Sequence, residues 1–238
     1  IDTHRCDSYR APPMAAPVPL RAALTAEFLG TAFLLAGVVG SGIMAERLTD
    51  DAGLQLFQNA FATAGVLIAL ILAFGPISGA HFNPAVTATA RLLGDLDGRT
   101  AAAYVISQVA GAVVGVITEN VMFDLDSVDW STKARSAGHL VFAEGIATLG
   151  LLLIIFLIVR AGAAGHVAYA VGLYIGGAYY FTSSTSFANP AVTVGRMFSD
   201  TFAGIEPASA PAFIVAQFIA VGAAYAFVLV MAPAVRTD

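Results

Sequence analysis

Charge is the scarcest commodity in this chain. Only 11% of its 238 residues are Asp, Glu, Lys or Arg, against 58% that are hydrophobic. A soluble domain carries about 25% charged residues. So few charges cannot coat a globule, and the mean hydropathy of +0.80 reads as an integral membrane protein partnered first by a lipid bilayer. The net charge of -5, spread over the segments between apolar runs, argues against a nucleic-acid partner. Cysteine is nearly absent: a single Cys6 excludes an internal disulfide framework and a thiolate metal cluster. No nucleophile–base pair or metal-binding constellation is recognisable, so neither an enzyme nor a cofactor is expected. Residues 1–20 form a polar, proline-rich tail without the apolar core of a signal peptide. Met14 within it reads as the natural start, with the residues before it an extension.

What the chain does have is long uncharged runs. A spanning helix needs about 20 apolar residues. Glu27 and Glu46 enclose 18 uncharged residues, and Arg99 and Glu119 enclose 19. His139 to Val159, interrupted only by Glu144, is a third span, and the 29 uncharged residues from Pro207 to Val235 hold a fourth. Two runs are too long for one helix: 39 residues from Ala52 to Ala90 and 35 from Ala161 to Gly195. Each holds an Asn-Pro in its second half, after turn-rich sequence, GPISGAHFNP or TSSTSFANP. Pro suits the first position of a helix and Asn before it suits the cap. Each long run therefore predicts a full helix, a re-entrant loop (75–83 or 182–189) and a half helix starting at the Pro.

The halves also repeat. AEFLGT (26–31) answers AEGIAT (143–148), HFNPAVT (81–87) answers ANPAVT (188–193), and YVISQVAGA (104–112) answers FIVAQFIAVGA (213–223). Three matches in the same order, at offsets of 117, 106 and 109 residues, indicate duplication. Repeat one covers about 21–123 and repeat two about 138–232, within one membrane domain spanning 21–238. Three spans per repeat force the second to enter upside down, which is the inverted-repeat plan. The fold class expected is an all-α membrane protein with six transmembrane helices and two re-entrant half helices. Close helix packing is expected at Gly111/Gly115 and Gly172/Gly176.

Two half helices entering from opposite faces bring their N-termini together at mid-membrane. Each end carries roughly half a positive charge, which repels cations, hydronium included. Irregular backbone at that depth must line a wet cavity. Asn83 and Asn189 can cap the half helices and turn side-chain N–H groups into it. A water there accepts from both, which interrupts proton hopping.

Together the Asn83-Pro84-Ala85 and Asn189-Pro190-Ala191 boxes, SGAHFNPAVT, the paired Glu27 and Glu144 and the paired Gln108 and Gln217 resemble the aquaporin, or major intrinsic protein, family over nearly all of residues 20–232. The resemblance implies a homotetramer with one pore per protomer, passing water or small neutral solutes passively. It implies that Glu27 and Glu144 accept hydrogen bonds from the re-entrant backbone, with Gln108 and Gln217 bracing them. His81 either lines the cytoplasmic side of the pore or orients its loop. An even span count leaves both termini on one side; placing them in the cytoplasm, across an inner (plasma) membrane, puts seven of eleven basic residues inside, the usual bias.

One position departs from the family pattern. Most members carry Arg directly after the second box; here it is Val192. Arg196 follows one helical turn later, a candidate for the mouth or for a headgroup contact. Carried over without gaps, the other outer-filter positions are Thr63, Gly177 and Ser186, with Tyr179 replacing Gly177 if the preceding loop is two residues shorter. The ungapped set predicts a wide constriction without aromatic or charge. That favours glycerol-like polyols, urea or metalloid hydroxides such as arsenous acid over water alone. The Val192 box in TSSTSFANPAVT also resembles bacterial channels associated with arsenic resistance. The alternatives are a coupled secondary transporter, which needs Glu27 or Glu144 to face the path, and a structural membrane protein, against which the two intact boxes speak.

Overall fold

The computed structural model describes residues 18–232. Cys6, Met14, residues 1–17 of the tail, Arg236 and the other residues after 232 lie outside the described residues. Among those described, the chain forms α1 (Leu20–Leu48), α2 (Ala52–Ser78), α3 (Pro84–Leu93), α4 (Gly98–Met122), α5 (Gly138–Arg160), α6 (Val167–Phe181), α7 (Pro190–Gly195) and α8 (Ala210–Met231). Helices α1, α2, α4, α5 and α8 are long and apolar enough to cross a membrane. The remaining span is shorter than expected. Helix α6 has 15 residues, about 22 Å at 1.5 Å per residue. A 3-10 turn, Ala164–His166, feeds directly into it after left-handed Gly162.

Helix starts follow local chemistry. Asp51 and Asp97 cap α2 and α4 through backbone N–H groups of Leu54, Arg99 and Thr100. Asn83 and Asn189 cap α3 and α7, each followed by Pro at the first helical position. Helix α2 continues through Pro76 to Ser78 and ends at left-handed Gly79, so the first loop is shorter than 75–83. In the last turn a Pro removes one helical hydrogen bond without breaking a longer ladder. Glu119 does not bound its span either: α4 runs through it and buries it beside Gly40 of α1.

Packing repeats with the sequence. Helix α1 lies along α4 as α5 lies along α8, and α2 meets α6 between the halves. Each half helix leans on the other repeat, α3 on α8 and α7 on α4. Glycine lets the long pairs close. A methyl group on Gly111 or Gly115 would overlap the Phe28 or Ala32 carbonyl of α1, and one on Gly172 would press on Ile68 and the Ala64 carbonyl of α2. The core sits between these pairs, around Leu35, Val39, Val116, Ala147 and Phe213.

Gly111→Ala should therefore destabilise the protein, by about 1–3 kcal/mol of overpacking. Gly65→Ala, with open space at its Cβ position, should change stability by less than about 1 kcal/mol. Thermal unfolding in detergent measures both; equal midpoints for the two variants would show that the α1–α4 contact is not tight.

Candidate functional site

The re-entrant loops are held in a conformation the backbone resists. Ala80 and Phe82 in the first, and Ser186 and Ala188 in the second, have φ between 47° and 51°, the left-handed region that non-glycine residues avoid. These left-handed residues, and Thr185 with them, precede extended Asn83 and Asn189 and leave the segments without a helical or sheet partner. Glu27 and Glu144 supply one. Glu27 accepts from the backbone N–H groups of His81 at 3.0 Å and Phe82 at 2.7 Å. Glu144 accepts from those of Phe187 and Ala188, both at 2.8 Å. Such charge-assisted bonds are roughly twice as strong as neutral ones, which offsets the strain. Gln108 donates to Glu27 at 2.7 Å and Gln217 to Glu144 at 2.8 Å. Each Gln also donates to the threonine of its own half helix, Thr87 or Thr193.

The Asn residues do more than cap. Asn83 Oδ1 accepts from the Ala85 N–H at 2.8 Å, and Asn189 Oδ1 from those of Ala191 and Val192 at 2.9 and 3.3 Å. Each Nδ2 reaches across the pseudo-twofold axis: Asn83 donates to the Ala188 carbonyl and Asn189 to the Phe82 carbonyl, both at 2.8 Å. An amide carries two such hydrogens, so one of each pair is committed to the opposite loop. One remains for the cavity that both residues line. No single-repeat reading of the sequence contains this exchange.

A cavity of about 560 Å³ runs past the boxes. Long helices give it an aliphatic wall, including Leu34, Leu67, Leu151, Ile155 and Val171, while segments 79–83 and 186–189 give it polar backbone. His81 lines it and pairs through Nδ1 with Thr87 Oγ1 at 3.1 Å. Thr63, Ser186 and Val192 line it too. Gly177 does not. It is exposed on the outer face of α6 with nothing near its Cβ position, and Tyr179 is the residue turned inward, its hydroxyl 3.1 Å from Thr63 Oγ1. Two helical positions lie about 200° apart, so only one can face the cavity, and an ungapped count selects the wrong one. The expectation of a constriction without aromatic or charge fails on a second point. Arg196 is buried, 2% exposed, and lines the cavity. Its guanidinium lies over the Phe187 ring, 3.4 Å from the centroid, and its Nε donates to the Ala203 carbonyl.

Two further residues were not singled out from the sequence. Arg135, from the connection between the repeats, faces the same Phe187 ring at 5.1 Å and donates to the Gly204 and Ser184 carbonyls. Lys133, the chain's one lysine, donates to the Phe202 carbonyl at 2.8 Å. Partial burial, with Arg135 and Arg196 nearby, pushes its ammonium down to about 8.

This architecture coincides with a known one. The family model described as Major intrinsic protein matches residues 15–183. The chain belongs to the major intrinsic protein family. It is 49% identical over 197 residues to aquaglyceroporin AqpS of Rhizobium meliloti (strain 1021), covering 82% of this chain and 83% of that protein. It is 28% identical to aquaporin NIP1-4 of Oryza sativa subsp. japonica, over 90% of this chain and 79% of that one. The X-ray structure of the aquaglyceroporin from Plasmodium falciparum superposes with a TM-score of 0.71 at 21% identity, over 88% and 96% of the two chains; at that identity the likeness concerns the fold. As a major intrinsic protein, the chain is a multi-pass membrane channel for water and small neutral solutes, not an enzyme.

Two measurements probe this site. Glu144→Ala leaves the Phe187 and Ala188 amides unpaired in a dry interior, at about 1–3 kcal/mol each, so the yield of monodisperse protein should collapse; Glu144→Gln, keeping one acceptor oxygen, should fall between it and the parent. Amine-ester labelling of Lys133, followed by peptide mass spectrometry, should reach half its maximum near pH 8, since only the neutral amine reacts. A midpoint near the ordinary 10.5 would mean that its ammonium is not disfavoured by burial and the two arginines.

Proposed function

We propose that this channel passes uncharged solutes that combine an apolar flank with hydroxyl or amide groups: glycerol-like polyols, urea or metalloid hydroxides such as arsenous acid. The carrying observation is the two-sided cavity, aliphatic side chains from the long helices against polar backbone and Asn83 and Asn189 from the loops. A polyol can lay its carbon chain on the first while its hydroxyls exchange bonds along the second. Thr63, Tyr179, Ser186 and Val192 act as the outer filter in this reading, with Ser186 Oγ buried and without a partner among the described residues. The 49% identity to a protein named an aquaglyceroporin supports the same solute class. Coupled transport is disfavoured, because Glu27 and Glu144 are fully buried and engaged by two amides of their re-entrant loops and by Gln108 or Gln217.

The assembly in this reading is a homotetramer with one pore per protomer, in the inner (plasma) membrane with both termini cytoplasmic. The basic-residue asymmetry supports the orientation. The bare apolar face of α2, with Phe57 and Phe61 exposed and stacked, gives neighbouring subunits or lipid a surface to cover.

Purified protein in liposomes, without ion gradients, should speed shrinkage in sucrose and uptake of glycerol and arsenous acid above protein-free vesicles. Uptake that requires a proton or sodium gradient would overturn the channel reading in favour of coupled transport. Val192→Arg should cut solute flux by about tenfold while cutting water flux less, because a narrower, more polar ring penalises the larger permeant.

A further inference from the structure

Position 192 holds an aliphatic residue where a cation would face the pathway, yet a guanidinium is present in the cavity. Residues four apart share a helix face, and helical side chains lean toward the N-terminus. A long side chain at 196 can thus return to the level of residue 192. Arg196 is built into that place rather than waving there. The Phe187 ring covers one face of its guanidinium at 3.4 Å, and the Ala203 carbonyl takes its Nε proton. Gly195, just before it, packs on Ala112 of α4 so tightly that an added Cβ would lie 3.1 Å from the Ala112 carbonyl oxygen, which fixes the helix end from which Arg196 projects. Arg135 stacks on the same Phe187 ring at 5.1 Å and is tied by Gly204 and Ser184. Two buried guanidiniums therefore share the Phe187 ring, and of the two Arg196 is the one that lines the cavity.

We propose that Arg196 supplies the selective cation of this pathway, one helical turn beyond the position where the sequence has Val192, with Phe187 and Arg135 as its positioning residues. The terminal nitrogens of Arg196, free of the Ala203 bond, offer N–H groups to a cavity that Ser186 and the Thr63–Tyr179 hydroxyl pair also line. A permeant with adjacent oxygen acceptors can meet all of these at once, while a cation meets a fixed positive charge in a low-dielectric site. Val192 meanwhile leaves an apolar flank next to the guanidinium. The pairing favours polyols over both cations and bare water.

The inference rests on the solute-channel reading and is tested beside it in the same proteoliposomes. Arg196→Met and Arg196→Lys are compared with the parent, folding being checked by monodispersity and thermal midpoint. Arg196→Met should raise valinomycin-independent potassium leak or proton leak by at least about tenfold, as expected for removing a fixed charge, and lower the glycerol-to-water flux ratio. Arg196→Lys should keep the leak low and lose the glycerol preference, because a point charge lacks the planar fork. A folded Arg196→Met with parental leak and parental flux ratio overturns the assignment. If that variant does not fold, Arg196→Lys decides: parental glycerol preference overturns it, and lost preference with low leak supports it. The Val192→Arg/Arg196→Val exchange should recover cation exclusion. If the parent itself carries no glycerol above empty vesicles, the solute reading fails and not the placement of the charge.

Discussion

Everything at the centre of this molecule depends on a carboxylate accepting consecutive backbone N–H groups in a place where no water or helix can. Without Glu27 the amides of His81 and Phe82 would be orphaned in the membrane interior, and without Glu144 those of Phe187 and Ala188. A buried unpaired donor costs on the order of 1–3 kcal/mol, and left-handed residues of similar cost add to it, Ala80 and Phe82 in the first loop and Thr185, Ser186 and Ala188 in the second. The acids make an extended, carbonyl-presenting loop affordable at mid-membrane depth. From that follow the two half helices, their facing N-termini and the polar side of the cavity. The expense of burying an ionised group is met by giving it a full set of donors, Ser78 Oγ and Gln108 included for Glu27.

The exchange between Asn83 and Asn189 is the second constraint, and it works on symmetry rather than strain. Each loop terminates its partner's free carbonyl. The register between the halves is thus set by two hydrogen bonds at the axis and by glycine-mediated contact at the periphery, where α2 meets α6 through Gly172 and Gly176.

Much of this was legible in the sequence, for a physical reason: membrane helices must be long and uncharged, caps need Asn and Pro, and a duplicated chain repeats its spacing. Those rules gave the spans, the half helices, the boxes and the acid pairs. What they could not give depends on contacts between halves or on side-chain direction. Tyr179, the alternative the sequence left open, faces the cavity rather than Gly177 because the two lie about 200° apart on α6, and no composition rule sets the phase of that helix. Arg196 is four positions past the box by number and reaches back to it only through the lean of a helical side chain. The asparagine exchange requires both repeats in place. Arg135 comes from a connection with no periodic signal at all.

The repeat symmetry is also broken in a particular way. At an offset of 106, Asn83 maps onto Asn189, Ala80 and Phe82 map onto Ser186 and Ala188, and Thr87 maps onto Thr193. The same offset takes His81 to Phe187 and Ala90 to Arg196. The waist is built from matched halves, and the mouths from unlike ones: the His81 imidazole at one, the Phe187 ring clasped by guanidiniums at the other. One passage therefore joins a waist to which both repeats bring the same groups with two mouths that the repeats furnish differently. A permeant arriving from either side meets the same pair of asparagines at the centre, but a chemically different entrance.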